Sequence, residues 1–220
     1  METPDIEAAR QRAGAAIRDL GHAFIGRTMT MDQIERLADA LETVSAELWP
    51  GEPRERAKVP FSDRQQVVYP QGRISHGFSD RPISGQSSPW GLDLSLHRDG
   101  DEIEAHVTLR AAHEGAPGRS HGGIVAALFD DVFGYVLGVA QQPGFTGDLY
   151  LRYEAPTPIH EELACRVRLA DREGRKMLMT GELVHRATGQ RLVSARATFI
   201  AVDAAAFERQ TAERPAPPAE

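Results

Sequence analysis

The segment Ser120-His121-Gly122-Gly123-Ile124-Val125-Ala126-Ala127-Leu128-Phe129-Asp130-Asp131 holds the residues of this chain best suited to chemistry. Two glycines open a long apolar stretch, and two carboxylates stand inside it. Between His121 and Arg152 there is no lysine or arginine, and the only acids are Asp130, Asp131 and Asp148. A helix that begins at Gly122 offers free backbone N–H groups and a partial positive charge, which suit a developing oxyanion. A carboxylate in mostly apolar surroundings takes a proton from water or attacks a carbonyl directly. Together these features point to acyl-transfer chemistry. Mid-helix aspartate is a poor helix former, so a pair of them in an apolar stretch asks for a function. On a helical wheel Asp131 lies nearer the Ile124/Tyr135 edge and Asp130 nearer Leu137, and periodicity does not choose between them.

The elements that must position these groups follow from periodicity. The helix is expected from about Gly122 to Ala140. Ile124, Leu128, Val132, Tyr135, Val136 and Val139 form one face, with Phe129, Phe133 and Leu137 on the other side. Gly134 and Gly138 share a narrow strip beside Ala127, where another backbone is expected to approach. Leu92, Leu94 and Leu96 alternate, as do Ile103, Ala105, Val107 and Leu109, with Asp99-Gly100 as the turn between them. Four more strands are expected after the helix: Leu149/Leu151/Tyr153, Leu163/Cys165/Val167/Leu169, Met177 to Val184 and Leu192 to Val202, with turns at Glu173-Gly174 and Thr188-Gly189. The order β-β-α-β-β-β-β gives an α+β domain, an antiparallel six-stranded sheet around one long central helix. A helix this apolar needs the sheet and a second subunit to cover it.

Residues 1–58 read as an N-terminal helical arm. Ile6 to Phe24 is alanine-rich with arginines, and Met31 to Leu48 places Ile34, Leu37, Leu41 and Val44 on one face, with Thr30 or Asp32 as its cap. The arm is expected to pack on the main domain or on a partner subunit, with that face docked. Residues 59–88, rich in Pro, Gly, Ser and Asp, read as an extended connector. Residues 89–202 carry the main domain, and 203–220 read as a disordered tail.

Composition narrows the function. A chain of 220 residues with 41% hydrophobic content supports one core plus an extension, and a net charge of −7 without a basic block argues against nucleic acid as a partner. No apolar run approaches the ~18 residues of a membrane span, and the N-terminus lacks signal-peptide features, so the expected location is the cytoplasm. The single cysteine, Cys165, lies in a strand pattern and reads as packing. The eight histidines are scattered without ligand spacing, so no metal is expected, and no cofactor is implied. There is no G-x-S-x-G elbow and no Gly-rich phosphate loop.

With the element order and the motif together, the chain resembles the hotdog-fold acyl-CoA thioesterases, in the phenylacetic-acid-degradation (PaaI) and 4-hydroxybenzoyl-CoA thioesterase group. The resemblance runs from about Pro89 to Val202. Its marks are Ser88-Pro89-Trp90-Gly91-Leu92-Asp93-Leu94, the approach Glu114 to Ser120, His121-Gly122-Gly123 with an aspartate nine residues after the histidine, Thr146 to Tyr153, Pro156-Thr157-Pro158, and Thr188-Gly189-Gln190 leading into Ala195 to Phe199. The arm lies outside it. The resemblance implies a hydrolase that splits acyl-CoA into CoA and a carboxylic acid, as a homodimer or a dimer of dimers. It implies that the Gly122 amide meets the thioester carbonyl, that Asp130 is the general base or nucleophile, and that Thr146 positions water or the carboxylate. It implies that His121 shapes the turn and orients substrate. Many such proteins carry an asparagine six residues before the histidine, where this chain has Gly115. The alternatives are an acyl-CoA hydratase or dehydratase on the same fold, or a non-catalytic acyl-CoA-binding protein.

Overall fold

The computed structural model describes residues 4–52, 54, 68–74, 79–203 and 205. Part of the 59–88 connector and all but two residues of the 203–220 tail lie outside the described residues, and the expectation of a disordered tail falls there. Two helices open the chain, α1 (Pro4–Gly26) and α2 (Met31–Leu48). Thr30 caps α2 in a capping box with Gln33. The strands are β1 (Gly72–Arg73), β2 (Ser95–Asp99), β3 (Glu102–Thr108), β4 (Glu114–Ala116), β5 (Arg119–Ser120), β6 (Gly144–Tyr153), β7 (Glu162–Glu173), β8 (Lys176–His185) and β9 (Arg191–Ala201). A 3-10 turn (Ala111–His113) precedes β4, and the central helix α3 spans Gly122–Val139.

The main sheet is antiparallel throughout, in the order β1-β2-β3-β7-β8-β9-β6. It has seven strands rather than the expected six, because Gly72–Arg73 of the connector adds a short edge strand beside β2. Strands β4 and β5 form a separate small hairpin before α3. Alternation sends one face of each strand inward: Ile103, Ala105 and Val107 from β3, Leu163, Cys165 and Val167 from β7, Met177 and Met179 from β8, and Val193, Ala195, Ala197 and Phe199 from β9 are all buried. Against them α3 buries Val125, Leu128, Phe129, Val132, Phe133, Tyr135 and Val136. A Cβ on Gly181 would stand 3.2 Å from the Phe129 ring and 2.8 Å from Val167, so the missing side chain lets the helix settle on the sheet. This is the hotdog arrangement, one long helix wrapped by an antiparallel sheet.

Two expectations about α3 are corrected. By length and composition Gly122–Val139 does qualify as a membrane span, because its two aspartates are too few to break the apolar run. Its packing against β3, β6 and β7 makes it instead the core helix. At Gly134 and Gly138 the neighbours are side chains rather than a backbone. Added Cβ atoms would lie 2.9 Å from the Arg81 guanidinium and 2.4 Å from the Tyr69 ring. The connector thus covers the side of α3 that carries Gly134 and Gly138, and its Ile83 packs against the core.

The arm docks differently from expectation. No residue of α2 is buried, and Ile34, Leu41, Val44 and Leu48 are exposed. The docked helix is α1, through Gly14, Arg18 and His22. A Cβ on Gly14 would lie 2.5 Å from the Ser87 carbonyl oxygen. Arg18 donates to the carbonyls of Gln86 (3.0 Å) and Ser88 (2.6 Å) and to Asp93 (2.8 Å). The helix therefore attaches by close backbone approach and by satisfying loop carbonyls, which leaves no apolar period in the sequence.

The buried rings of His22 and His113 meet edge to face, with centroids 4.6 Å apart. Burial, then the neighbouring His22 and Arg110, push His113 down to about 4, and burial followed by Arg110 lowers His22. The fold therefore favours the neutral form of both rings, whereas the unfolded chain takes up protons near pH 6.5. Stability is then full above that pH and falls as pH drops from 6.5 toward 4. His113→Asn, which keeps an acceptor and removes the titration, should flatten this part of the Tm-against-pH curve. Superimposable curves for the two proteins would contradict it.

Candidate active site

The start of α3 is shaped by its cap. His121 is extended (φ −64°, ψ 134°), and its Nδ1 accepts the Gly123 N–H at 3.0 Å. The Ile124 and Val125 amides turn back to the His121 carbonyl. Of these first amides, Gly122 N–H makes no hydrogen bond among the described residues. It therefore has the free donor and the dipole end that an anionic oxygen needs. From the other side, the Tyr153 hydroxyl donates to the Gly122 carbonyl at 2.7 Å. A Cβ on Gly122 would come within 3.1 Å of that hydroxyl. Partial burial raises the pKa of the phenol, which keeps it a donor.

Behind the helix start, the His121 N–H donates to the His113 carbonyl at 2.8 Å, and Ser120 N–H donates to Thr157. The β4 strand lies so close that a Cβ on Gly115 would stand 2.7 Å from the Cα of His121. An asparagine at this position would collide with the backbone it precedes. The departure at Gly115 therefore goes with a tighter packing of β4 against the cap.

Eight residues along α3, about 12 Å at the helical rise, the two aspartates part company. Asp131 is an ion-pair residue: Arg81 donates to its Oδ1 through Nε (3.1 Å) and a terminal nitrogen (2.9 Å), and reaches its backbone carbonyl as well. Its side chain is only 10% exposed, and the Arg81 guanidinium also lies over the Tyr135 ring at 4.6 Å. Asp130 is exposed, with Thr146 Oγ1 donating to its Oδ1 at 2.7 Å. The register of β6 against β9 shifts between Thr146 and Asp148, a bulge that re-aims this end of the edge strand toward α3.

The structure thus brings Asp130 and Thr146 into contact, and His121 and Gly122 stand together at the helix start, a separate group within one chain. Cys165 is wholly buried, and that burial pushes its thiol up, which suits packing. Tyr153 was visible only as part of a motif, without a role. Arg81 gave no signal, because it sits in a connector with no period. The His22–His113 pair joins positions 91 residues apart, beyond the reach of any spacing rule.

No family model matches the chain, and no curated protein matches it in sequence. Among solved structures, the crystal structure of a thioesterase superfamily protein is similar at a TM-score of 0.73 and 26% identity, covering 87% of this chain and 90% of that one. The fold is that of the thioesterase superfamily. The coverage exceeds what residues 59–220 alone supply, so the likeness takes in part of the helical arm. Zebra fish thioesterase superfamily member 2 (18% identity, TM-score 0.46, 49% of this chain and 80% of that one) and the Escherichia coli PaaI protein from the phenylacetic acid degradation operon (15%, 0.46, 50% and 82%) are shorter and more distant. Likeness at that level carries no weight about chemistry.

The ion pair makes a clear energetic claim. Arg81→Ala leaves the Asp131 carboxylate buried and unpaired, and is expected to cost on the order of 3 kcal/mol. The readout is a lower denaturant midpoint. Arg81→Ala combined with Asp131→Asn should recover part of that loss, and a double variant no more stable than Arg81→Ala would contradict the pairing.

Proposed function

We propose that this protein is an acyl-CoA thioesterase, a cytoplasmic enzyme that hydrolyses acyl-CoA to CoA and a carboxylic acid. The observation that carries this reading is the split between the aspartates. Asp131 is neutralised by Arg81, whereas Asp130 stays open and is oriented by the Thr146 hydroxyl. A free helix-start amide at Gly122 supplies the other half of an acyl-transfer site. The superfamily fold and the structural relative named for it support the same reading.

In this mechanism the thioester oxygen lies against the Gly122 N–H, where the amide and the helix dipole stabilise its developing charge. The Thr146 hydroxyl occupies one carboxylate oxygen of Asp130, and the other takes a proton from water. The water oxygen bonds to the carbonyl carbon, the C–S bond breaks, and the CoA sulfur leaves as thiolate and is protonated. His121 keeps the helix start in place by capping Gly123. Orienting substrate is a second role for the same ring.

Gly122 and Asp130, about 12 Å apart along one helix, do not reach the same carbonyl within one chain. Two chains solve this. Strand β6 is an edge strand, and Phe145, Tyr150 and Tyr153 along it are exposed. Pairing two copies across β6 brings the helix start of one toward Asp130 of the other, giving two sites per homodimer.

The test is a panel of short, long and aromatic acyl-CoAs, followed by released thiol. Asp130→Asn should lower kcat at least ~10²-fold with fold and assembly intact, and Asp131→Asn far less. The reverse ranking would sink the assignment of Asp130. Tight acyl-CoA binding without turnover by the wild type would favour a binding protein, and hydration of crotonyl-CoA without thiol release would favour a hydratase. Mixing Asp130→Asn with Gly122→Val chains, after dissociation and reassociation, should recover part of the activity. No recovery despite subunit exchange would rule out the shared site.

A further inference from the structure

The helical arm reaches the helix start through a short relay of backbone groups. His22 of α1 is buried, and its Nδ1 accepts the Ala112 N–H at 3.1 Å. Ala112 is the middle residue of the Ala111–His113 turn, which is closed on itself. The Arg110 N–H donates to His113 Nδ1 at 3.0 Å, and the His113 N–H donates to the Arg110 carbonyl at 2.8 Å. The His113 carbonyl then takes the His121 N–H, and His121 caps the first turn of α3. Close contact reinforces the relay: a Cβ on Gly26 would lie 2.8 Å from the Ala111 Cβ. Asp19 of α1 holds Arg110 at 2.6 Å.

We infer that His22 is a positioning residue for the oxyanion-binding helix start, acting through the Ala111–His113 turn and His121 on the direction of the Gly122 amide. The role needs the neutral ring, because Nδ1 is the acceptor. Burial favours that state, as do Arg110 and His160 beside the ring, while Asp93 and Asp19 oppose it. His22 touches no reacting group. Its effect is on the geometry of a donor, and such displacements lower turnover more than binding.

The kinetic half of this inference rests on the thioesterase reading, and the structural half does not. His22→Phe retains a ring and removes the acceptor, whereas His22→Asn places an oxygen close to where Nδ1 stood. In the full-length His22→Phe protein, kcat for an acyl-CoA that the wild type hydrolyses should fall about tenfold, with KM changed less than about threefold. The amides of Ala112 and His121 should exchange hydrogen faster. His22→Asn should restore both readouts toward wild type. If the phenylalanine ring prevents folding, His22→Gln, which moves the acceptor by one bond, takes its place. Unchanged kcat together with unchanged His121 exchange would overturn the inference. So would an Asn variant as impaired as the Phe variant, since packing alone would then be at work. Absence of turnover in the wild type would sink the thioesterase reading and leave the exchange measurements to decide the relay.

Discussion

Asp130 and Asp131 are neighbours in a helix whose residues Val125, Leu128, Phe129, Val132, Phe133 and Val136 are all buried. Successive side chains point about 100° apart, so the direction of that buried face settles the fate of both acids. With Phe129 pressed on the sheet beside Gly181, Asp131 falls where the connector crosses α3, and its charge needs a cation there. Asp130 falls on the side of the edge strand, within reach of Thr146. One packing decision thus makes one carboxylate a structural anchor and leaves the other open to solvent.

Pieces remote in sequence hold this arrangement. The connector supplies Arg81 and Tyr69 to the side of α3 that carries Gly134 and Gly138, and its Ser84 hydroxyl meets the Tyr135 hydroxyl at 2.8 Å. From α1, Arg18 fixes the loop carbonyls on either side of Ser87. The segment that composition would class as a spacer fills the polar requirements of the core helix, and the one it would class as an appendage fills those of the connector. In a minimal sheet-and-helix unit those needs would have to be met otherwise, since buried donors and acceptors are costly when unpaired.

What could be read from the sequence divides along the same line. Six of the seven strands of the main sheet, and α3, were legible because periods of two and 3.6 follow from burial on one face. The choice of Asp130 came only from the spacing of a resembled family, and the Arg81–Asp131 pair that sets its neighbour apart was invisible because an arginine in an aperiodic loop has no pattern. The short β1, β4 and β5 strands are too brief to show alternation. The apolar stripe of α2 was legible, and within one chain none of its residues is buried. A stripe states which face is apolar, and says nothing of whether this chain covers it. Conversely α1 docks through glycine, arginine and histidine, which no hydrophobic pattern reports.

The order of attachment along the chain therefore differs from the order of residues. Starting from the N-terminus, α1 is clamped to the domain, α2 buries nothing, and the sheet follows. Helix α2 has a capping box to hold its own first turn and, among the described residues, no hydrogen bond to another element. In the language of local unfolding, α2 forms a unit whose opening would leave α1 and the main sheet in place. A protease that cut within α2 would leave α1 seated on the domain as a separate piece, retained by contacts that include Arg18, Asp19, His22 and the close approach at Gly14. The cut arm would then behave as a non-covalent subunit of the domain that α1 docks on.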